Sequence, residues 1–262
     1  MNIIFVDIDG TLIDCRRGMP HVSLKTLQAV EQLKKQGDLL LIVSGRPKCL
    51  LDKDVLSLNP DGFIMSNGSY VEFHNEKIYQ EFLNNDNIEK IITFGNRYRC
   101  PYYFETDSHV YAPDLNDPVH CGYFADWEIP GALKTYHHQN LRFNMAMIAL
   151  RNDASLIDKC ENYFNQDLIA TRQGEIYGYD INVKGTSKGE GIRKFLQYLN
   201  IPNVKTYALG DGQNDISMMQ AVDNPIGMGN ACDILKKEVK YITSDVLDDG
   251  FYHALQHYKI IL

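Results

Sequence analysis

The sequence predicts an α/β protein: a parallel sheet of alternating strands and helices, split by an inserted α+β segment. Three observations carry this prediction. Continuous apolar runs of four and five residues occur at 3–6 and 39–43, the pattern of strands buried on both faces, and 204–209 reads as a further strand. Stretches with helical spacing separate them, and strand–helix alternation builds a parallel sheet through right-handed crossovers. From about residue 82 to 179 aromatics crowd in and apolar runs thin out, after which the alternation returns. The expected organisation is therefore a core from 1–82 and 181–262, with a second domain at 83–180.

The elements follow in order. Residues 3–6 form a strand that ends in Asp7 and Asp9, with Gly10 breaking it. Ser23 caps a helix expected to bury Leu24, Leu27, Val30 and Leu33 and to stop at Gly37. The run 39–43 is a second strand, ending abruptly at Ser44-Gly45-Arg46-Pro47. A helix over about 48–57 leads to a third strand at 62–65, then Ser66-Asn67-Gly68. Within the insert, strands are expected at 143–150, 168–171 and 176–181, with a helix at 155–164. Ser187-Lys188 opens a helix with Ile192, Phe195, Leu196 and Leu199 on its apolar face. The strand 204–209 ends in Gly210-Asp211-Gly212-Gln213-Asn214-Asp215. A short helix, the segment 225–231, one more strand and a final helix close the chain.

Composition narrows the function. The 262 residues carry a net charge of -8 and no compact run of Lys and Arg, which argues against nucleic-acid or anionic-membrane partners. Six cysteines are scattered without a Cys-x-x-Cys pair, so neither a zinc site nor a disulfide framework is expected, and reduced thiols in the cytoplasm are. No basic region with a following apolar stretch opens the sequence, so a signal peptide is not expected. His137-His138 and the other histidines lack metal-ligand companions at useful spacing.

The chemistry lies where strands end. Asp7 and Asp9, Ser44, and Asp211 and Asp215 each follow an apolar run, and Lys188 starts a helix. In an open parallel sheet the carboxyl ends of strands share one edge, so residues two hundred positions apart meet there. Carboxylates without Cys or His suit a hard cation, magnesium above zinc. A lysine and a hydroxyl beside them, at a helix N-terminus, supply what a phosphate needs. Asp215 serves equally as the cap of residues 216–219. Thr11 is read as capping its turn, and the part played by Asp14 stays open.

Asp7-Ile8-Asp9-Gly10-Thr11, Ser44-Gly45-Arg46, Ser187-Lys188-Gly189 and Gly210-Asp211-Gly212-Gln213-Asn214-Asp215 resemble, in order, the four motifs of the haloacid dehalogenase superfamily. The insert's place between the second and third resembles the Cof-type phosphatases with a class IIB α/β cap. Asn67-Gly68 and Met228-Gly229-Asn230-Ala231 are similar to further signatures of that subfamily. The resemblance implies a Rossmann-like core and a Mg2+-dependent phosphomonoester hydrolase working through an aspartyl-phosphate. Its substrate is then a small phosphorylated metabolite, such as a sugar phosphate or a cofactor phosphate. It implies Asp7 as nucleophile, Asp9 as acid/base and Thr11 as the residue that orients Asp9. The implied metal ligands are Asp7, the Asp9 carbonyl and Asp211, with Asp215 as ligand or support. The implied phosphate cradle is Ser44, Gly45, Lys188, Asn214 and the backbone N–H of Ile8. Arg46 and Asn67 lie near the substrate on the same grounds, and Lys188 is expected to lower the pKa of Asp7. A phosphomannomutase-type phosphomutase and a non-catalytic phosphate-binding regulator are the competing readings.

Overall fold

A computed structural model describes residues 1–117, 120, 131–136, 141–150, 153–173 and 178–262. The chain divides into two units. The first comprises Met1–Ser44, Leu51–Tyr79 and Ser187–Leu262; the second comprises Gly45–Leu50 and Gln80–Thr186. The second unit thus runs past residue 180 and takes in Gly45–Leu50, which includes Gly45 and Arg46 of a predicted motif.

In chain order the strands of the first unit begin β1 (Asn2–Val6), β2 (Leu39–Val43), β3 (Gly62–Met65), β4 (Tyr70–Phe73) and β5 (Glu76–Gln80). The second unit supplies β6 (Tyr102–Glu105), β7 (Val110–Ala112), β8 (Leu133–Thr135), β9 (Met145–Ala149), β10 (Leu168–Arg172) and β11 (Gly178–Val183). The chain then returns with β12 (Lys205–Gly210), β13 (Asn224–Gly227) and β14 (Tyr241–Ile242).

The first unit is built on one eight-stranded sheet in the order β14-β13-β12-β1-β2-β3-β4-β5. From β14 through β3 every neighbouring pair is parallel, and β4 turns back antiparallel on β3. The order departs from β1 in both directions, which is where an α/β sheet opens a crevice at its carboxyl edge. Strand β1 sits at that point, and Ile3, Ile4, Phe5 and Val6 are each fully buried. The helix Lys188–Leu199 docks on the sheet through Phe195, whose ring meets Phe5 and Phe73 edge-on at 5.9 and 5.2 Å.

Two helices differ from expectation. Leu24–Lys35 forms with its Ser23 cap, but it buries Thr26, Ala29, Val30 and Leu33, while Leu24 and Leu27 face out. The spacing 26, 29, 30, 33 is the stripe a 3.6-residue repeat keeps on one side; the row 24, 27, 30, 33 drifts off it. The helix expected over 48–57 is broken into a 3-10 turn Lys48–Leu50 and a short helix Lys53–Ser57.

The second unit holds a six-stranded sheet, β10-β11-β9-β6-β7-β8, antiparallel except between β7 and β8. Alternation gives it two faces. Tyr102, Phe104, Ile148 and Tyr179 pack with the helices Asn85–Tyr98 and Ile157–Tyr163. Tyr103, Val110 and Met147 turn the other way, where Leu50 joins them. Neither the helix Asn85–Tyr98 nor β6 is expected from the sequence. Trp127 and His137-His138 lie outside the described residues. No helix among the described residues is long and apolar enough to cross a membrane.

Candidate active site

Strand β1 delivers Asp7 to the carboxyl edge. The Asp7 N–H still donates to Leu209 O at 3.0 Å, so the backbone remains in step with β12 beyond the last strand residue. The chain then folds tightly, with the N–H groups of Thr11, Leu12 and Ile13 all directed at the Ile8 carbonyl. Gly10, at the bend, has φ +77°, and a Cβ there would lie 2.2 Å from Asp211 Oδ2. Only glycine combines that conformation with so close an approach.

The neighbouring strand β12 delivers Asp211. Its N–H and that of Gly212 both donate to Asp215 Oδ2 at 2.9 Å. The other Asp215 oxygen accepts from Lys188 Nζ at 2.5 Å, and the same ammonium donates to Asp7 Oδ1 at 2.6 Å. Ser187 caps the Lys188 helix by accepting from Glu190 N–H at 3.1 Å. The loop carrying Asn67 and Gly68 presses on this helix start: a Cβ on Gly68, where φ is +92°, would lie 2.1 Å from the Ser187 carbonyl. Gly68 therefore lets the two backbones pack closely where the lysine helix begins.

Asp7, Asp215 and Lys188 are almost fully buried. Asp7, Asp211 and Asp215 each bring an oxygen within 4.8 Å of the others, and Lys188 brings one positive charge to these three carboxylates. Burial, then repulsion from Asp215, pushes Asp7 up to about 7 despite Lys188. Burial, then Asp7 and Asp215, pushes Asp211 up to about 8. The lysine does pull Asp7 downward, as the sequence suggests, but it is outweighed. Burial opposes the charge on Lys188 itself, and attraction to Asp215 and Asp7 overcomes it and holds the pKa above the usual lysine value. Clustered carboxylates held above their usual range are short of positive charge, and an all-oxygen donor set of this kind fits a hard divalent cation. Thr11 Oγ1, on the loop after Asp7, is buried and without a hydrogen-bond partner among the described residues.

The remaining predicted residues are less concentrated. Asp9 is exposed on the loop after Ile8. Ser44 follows β2, whose Ile42 pairs with Val6 of β1, so it stands on the same sheet edge; its backbone also bonds Ile64 O and Asn67 N–H. Asn214 is half-buried in the 3-10 turn Gln213–Asp215. Gly45 and Arg46 group with the second unit, where Arg46 donates to Leu50 O at 3.2 Å. Asp215 does not cap residues 216–219 through its side chain; its oxygens instead accept from the Asp211 and Gly212 N–H groups and from Lys188, which places it within the acidic cluster. Sequence reasoning missed the approach of Gly10 to Asp211 and the bond from Asn230 Nδ2 to the Gly10 carbonyl at 2.7 Å. The Met228-Gly229-Asn230-Ala231 run is a local signal for the second, although nothing in it names the partner.

A parallel α/β core with carboxylates at the ends of β1 and β12 and a lysine at a helix start beside them, carrying an inserted α+β unit, defines the architecture of a family of hydrolases. The haloacid dehalogenase-like hydrolase model matches residues 4–255, and the chain belongs to that family. It is 28% identical over 264 residues to YkrA of Bacillus subtilis (strain 168), covering 99% of this chain and 98% of that one. It is also 23% identical over 262 residues to the 5-amino-6-(5-phospho-D-ribitylamino)uracil phosphatase YcsE of the same organism, covering 99% and 96%. Among solved structures, the subclass IIB sugar phosphatase BT4131 superposes with a TM-score of 0.85 at 23% identity, covering both chains fully. A hypothetical protein from Geobacillus kaustophilus superposes with a TM-score of 0.81 at 27% identity, covering 99% of each chain.

Proposed function

We propose that this chain is a Mg2+-dependent phosphomonoester hydrolase that acts through an aspartyl-phosphate on Asp7. The observation that carries the reading is the buried Asp7–Lys188–Asp215 chain beside Asp211, with a second carboxylate, Asp9, two residues on and open to solvent. Relatives named as phosphatases support it, YcsE among them. Asp7, Asp211, Asp215 and the Asp9 carbonyl would hold the cation, which, when bound, offsets the repulsion between the Asp7 carboxylate and a phosphate dianion.

The residues of the chain divide the rest. Lys188 fixes the Asp7 carboxylate through Oδ1, and with Ser44, Gly45, Asn214 and the Ile8 N–H it cradles the phosphate. A carboxylate oxygen of Asp7 attacks phosphorus, and the bond to the leaving oxygen breaks as Asp9 delivers its proton. Asp9 then takes a proton from water, which attacks phosphorus and restores Asp7 with release of inorganic phosphate. The cradle recognises what all phosphomonoesters share. Choice among small metabolites, a sugar phosphate or a cofactor phosphate, therefore falls to the second unit and to Arg46 and Asn67. The scattered spacing of the six cysteines accords with a cytoplasmic setting.

A phosphate-release screen over phosphorylated metabolites tests the reading. Wild-type protein with Mg2+ releases inorganic phosphate, and Asp7→Asn lowers turnover by at least about a thousandfold. Equal turnover by the variant sinks the mechanism. Isomerised monophosphate without free phosphate marks a phosphomutase, and binding without turnover marks a regulator.

A further inference from the structure

Asn230 lies more than two hundred residues from the loop that follows the nucleophile, yet its amide is tied to it. Nδ2 donates to the Gly10 carbonyl at 2.7 Å, and Oδ1 accepts from the Val246 N–H at 2.9 Å. The Gly10 N–H in turn donates to the Ile13 carbonyl at 2.7 Å. The two peptide planes flanking Gly10 are therefore both held; the one following it is held at the Thr11 N–H by the Ile8 carbonyl and at the Gly10 carbonyl by a side chain from outside the loop. Asp9 is the residue immediately before.

The 245–246 segment on which Asn230 rests is itself anchored to the same loop further along. Both terminal nitrogens of Arg17 reach Asp245 Oδ2 at 3.0 Å, while Asp14 Oδ1 accepts from the Arg17 N–H at 3.1 Å. On the other side, the Gly229 N–H donates to the Ser244 carbonyl at 3.0 Å. The loop from Gly10 to Arg17 is thus strapped at two points. The Arg17–Asp245 strap is exposed and so of small energetic weight. The Asn230 strap is part-buried and sits at the residue next to Asp9.

A carboxylate two residues beyond a buried strand gets its direction from the backbone of its loop. A peptide plane there held only through the Thr11 N–H has more freedom to tilt, and proton transfer depends on distance and angle to the leaving oxygen. We propose that Asn230 is a positioning residue for the acid/base step: its amide fixes the Gly10 carbonyl and so the direction in which Asp9 presents its carboxyl. This rests on the acid/base role assigned to Asp9 above.

The test uses the full-length protein with Mg2+ and compares kcat/KM for phenyl phosphate and p-nitrophenyl phosphate. The two esters are alike in shape, but only phenolate needs much protonation to leave. Asn230→Ala should lower the ratio of phenyl to p-nitrophenyl kcat/KM by about tenfold or more. Asn230→Asp keeps an acceptor for Val246 but loses the donor to Gly10, so it should lower the ratio similarly while holding Tm nearer to wild type. Asp9→Asn is the control and should lower the ratio at least as far. If both Asn230 variants lose the two activities by the same factor, or keep the wild-type ratio, while Asp9→Asn lowers it, Asn230 does not position the acid and the proposal falls. If Asp9→Asn itself keeps the wild-type ratio, the acid role of Asp9 falls, and with it the reading beneath the proposal.

Discussion

Lys188 is the residue whose chemistry the fold constrains most tightly. Its side chain is 1% exposed and divides its donors between Asp7 and Asp215. Removing the ammonium leaves two buried carboxylates facing each other, and an uncompensated buried charge costs more than the pair was worth. Lys188→Met should therefore lower unfolding free energy by about 3–5 kcal/mol in urea titrations without metal, and it should also cost turnover. A variant of wild-type stability would show that the lysine is dispensable to the buried cluster. The sequence marks Lys188 because a charge opens an otherwise amphipathic helix. Which carboxylates it meets depends on two strands that are not adjacent in sequence.

At the scale of the element, the second unit's sheet carries a buried carboxyl on the face away from its helices. Glu105, at the end of β6, is 3% exposed, and its Oε2 finds no hydrogen-bond donor among the described residues. Burial, and then the nearby Asp180, hold its pKa well above the usual 4.5. The folded state keeps this proton at a pH where the unfolded chain has lost it. Stability contributed by the neutral group is therefore complete below about 4.5 and declines as pH rises towards the folded-state value. Glu105→Gln removes the dependence, so its stability relative to wild type should be greater at pH 8 than at pH 5 in paired urea titrations. An equal difference at both pH values would mean that Glu105 is ionised in the folded protein. Sequence periodicity gives no warning of this group, because Tyr102-Tyr103-Phe104-Glu105 reads as an aromatic run ending in a surface charge.

For the whole molecule, the buried cluster predicts coupling between metal and stability. A cation that binds only the folded chain stabilises it by about 2.7 kcal/mol at a hundred times its Kd, or several degrees in Tm for a chain of this size. Millimolar Mg2+ should raise Tm in calorimetry, EDTA should reverse the rise and abolish phosphate release, and Asp211→Asn should shrink both responses. Calcium should support turnover poorly, because its larger and looser shell misplaces Asp7. A Tm indifferent to Mg2+ and EDTA would remove the carboxylates from a metal-binding role.

The sequence by itself indicated the α/β class and the interrupted order of the core, and it marked Asp7, Asp9, Ser44, Lys188 and Asp211 as candidate site residues. Each of these is written locally, as an apolar run ending in a polar residue or a capped helix start. Tertiary structure decided what local patterns cannot encode. It put β1 beside β12, bringing Asp7 and Asp211 together across two hundred residues. It chose Ala29 and Val30 over Leu24 for the buried side of the first helix. It let burial outweigh Lys188 at Asp7, and it carried Asn230 to the Gly10 carbonyl. The physical reason is common to all four: burial, charge coupling and hydrogen-bond partnership depend on distance in space, and an open parallel sheet converts remote sequence positions into neighbours only once it has assembled.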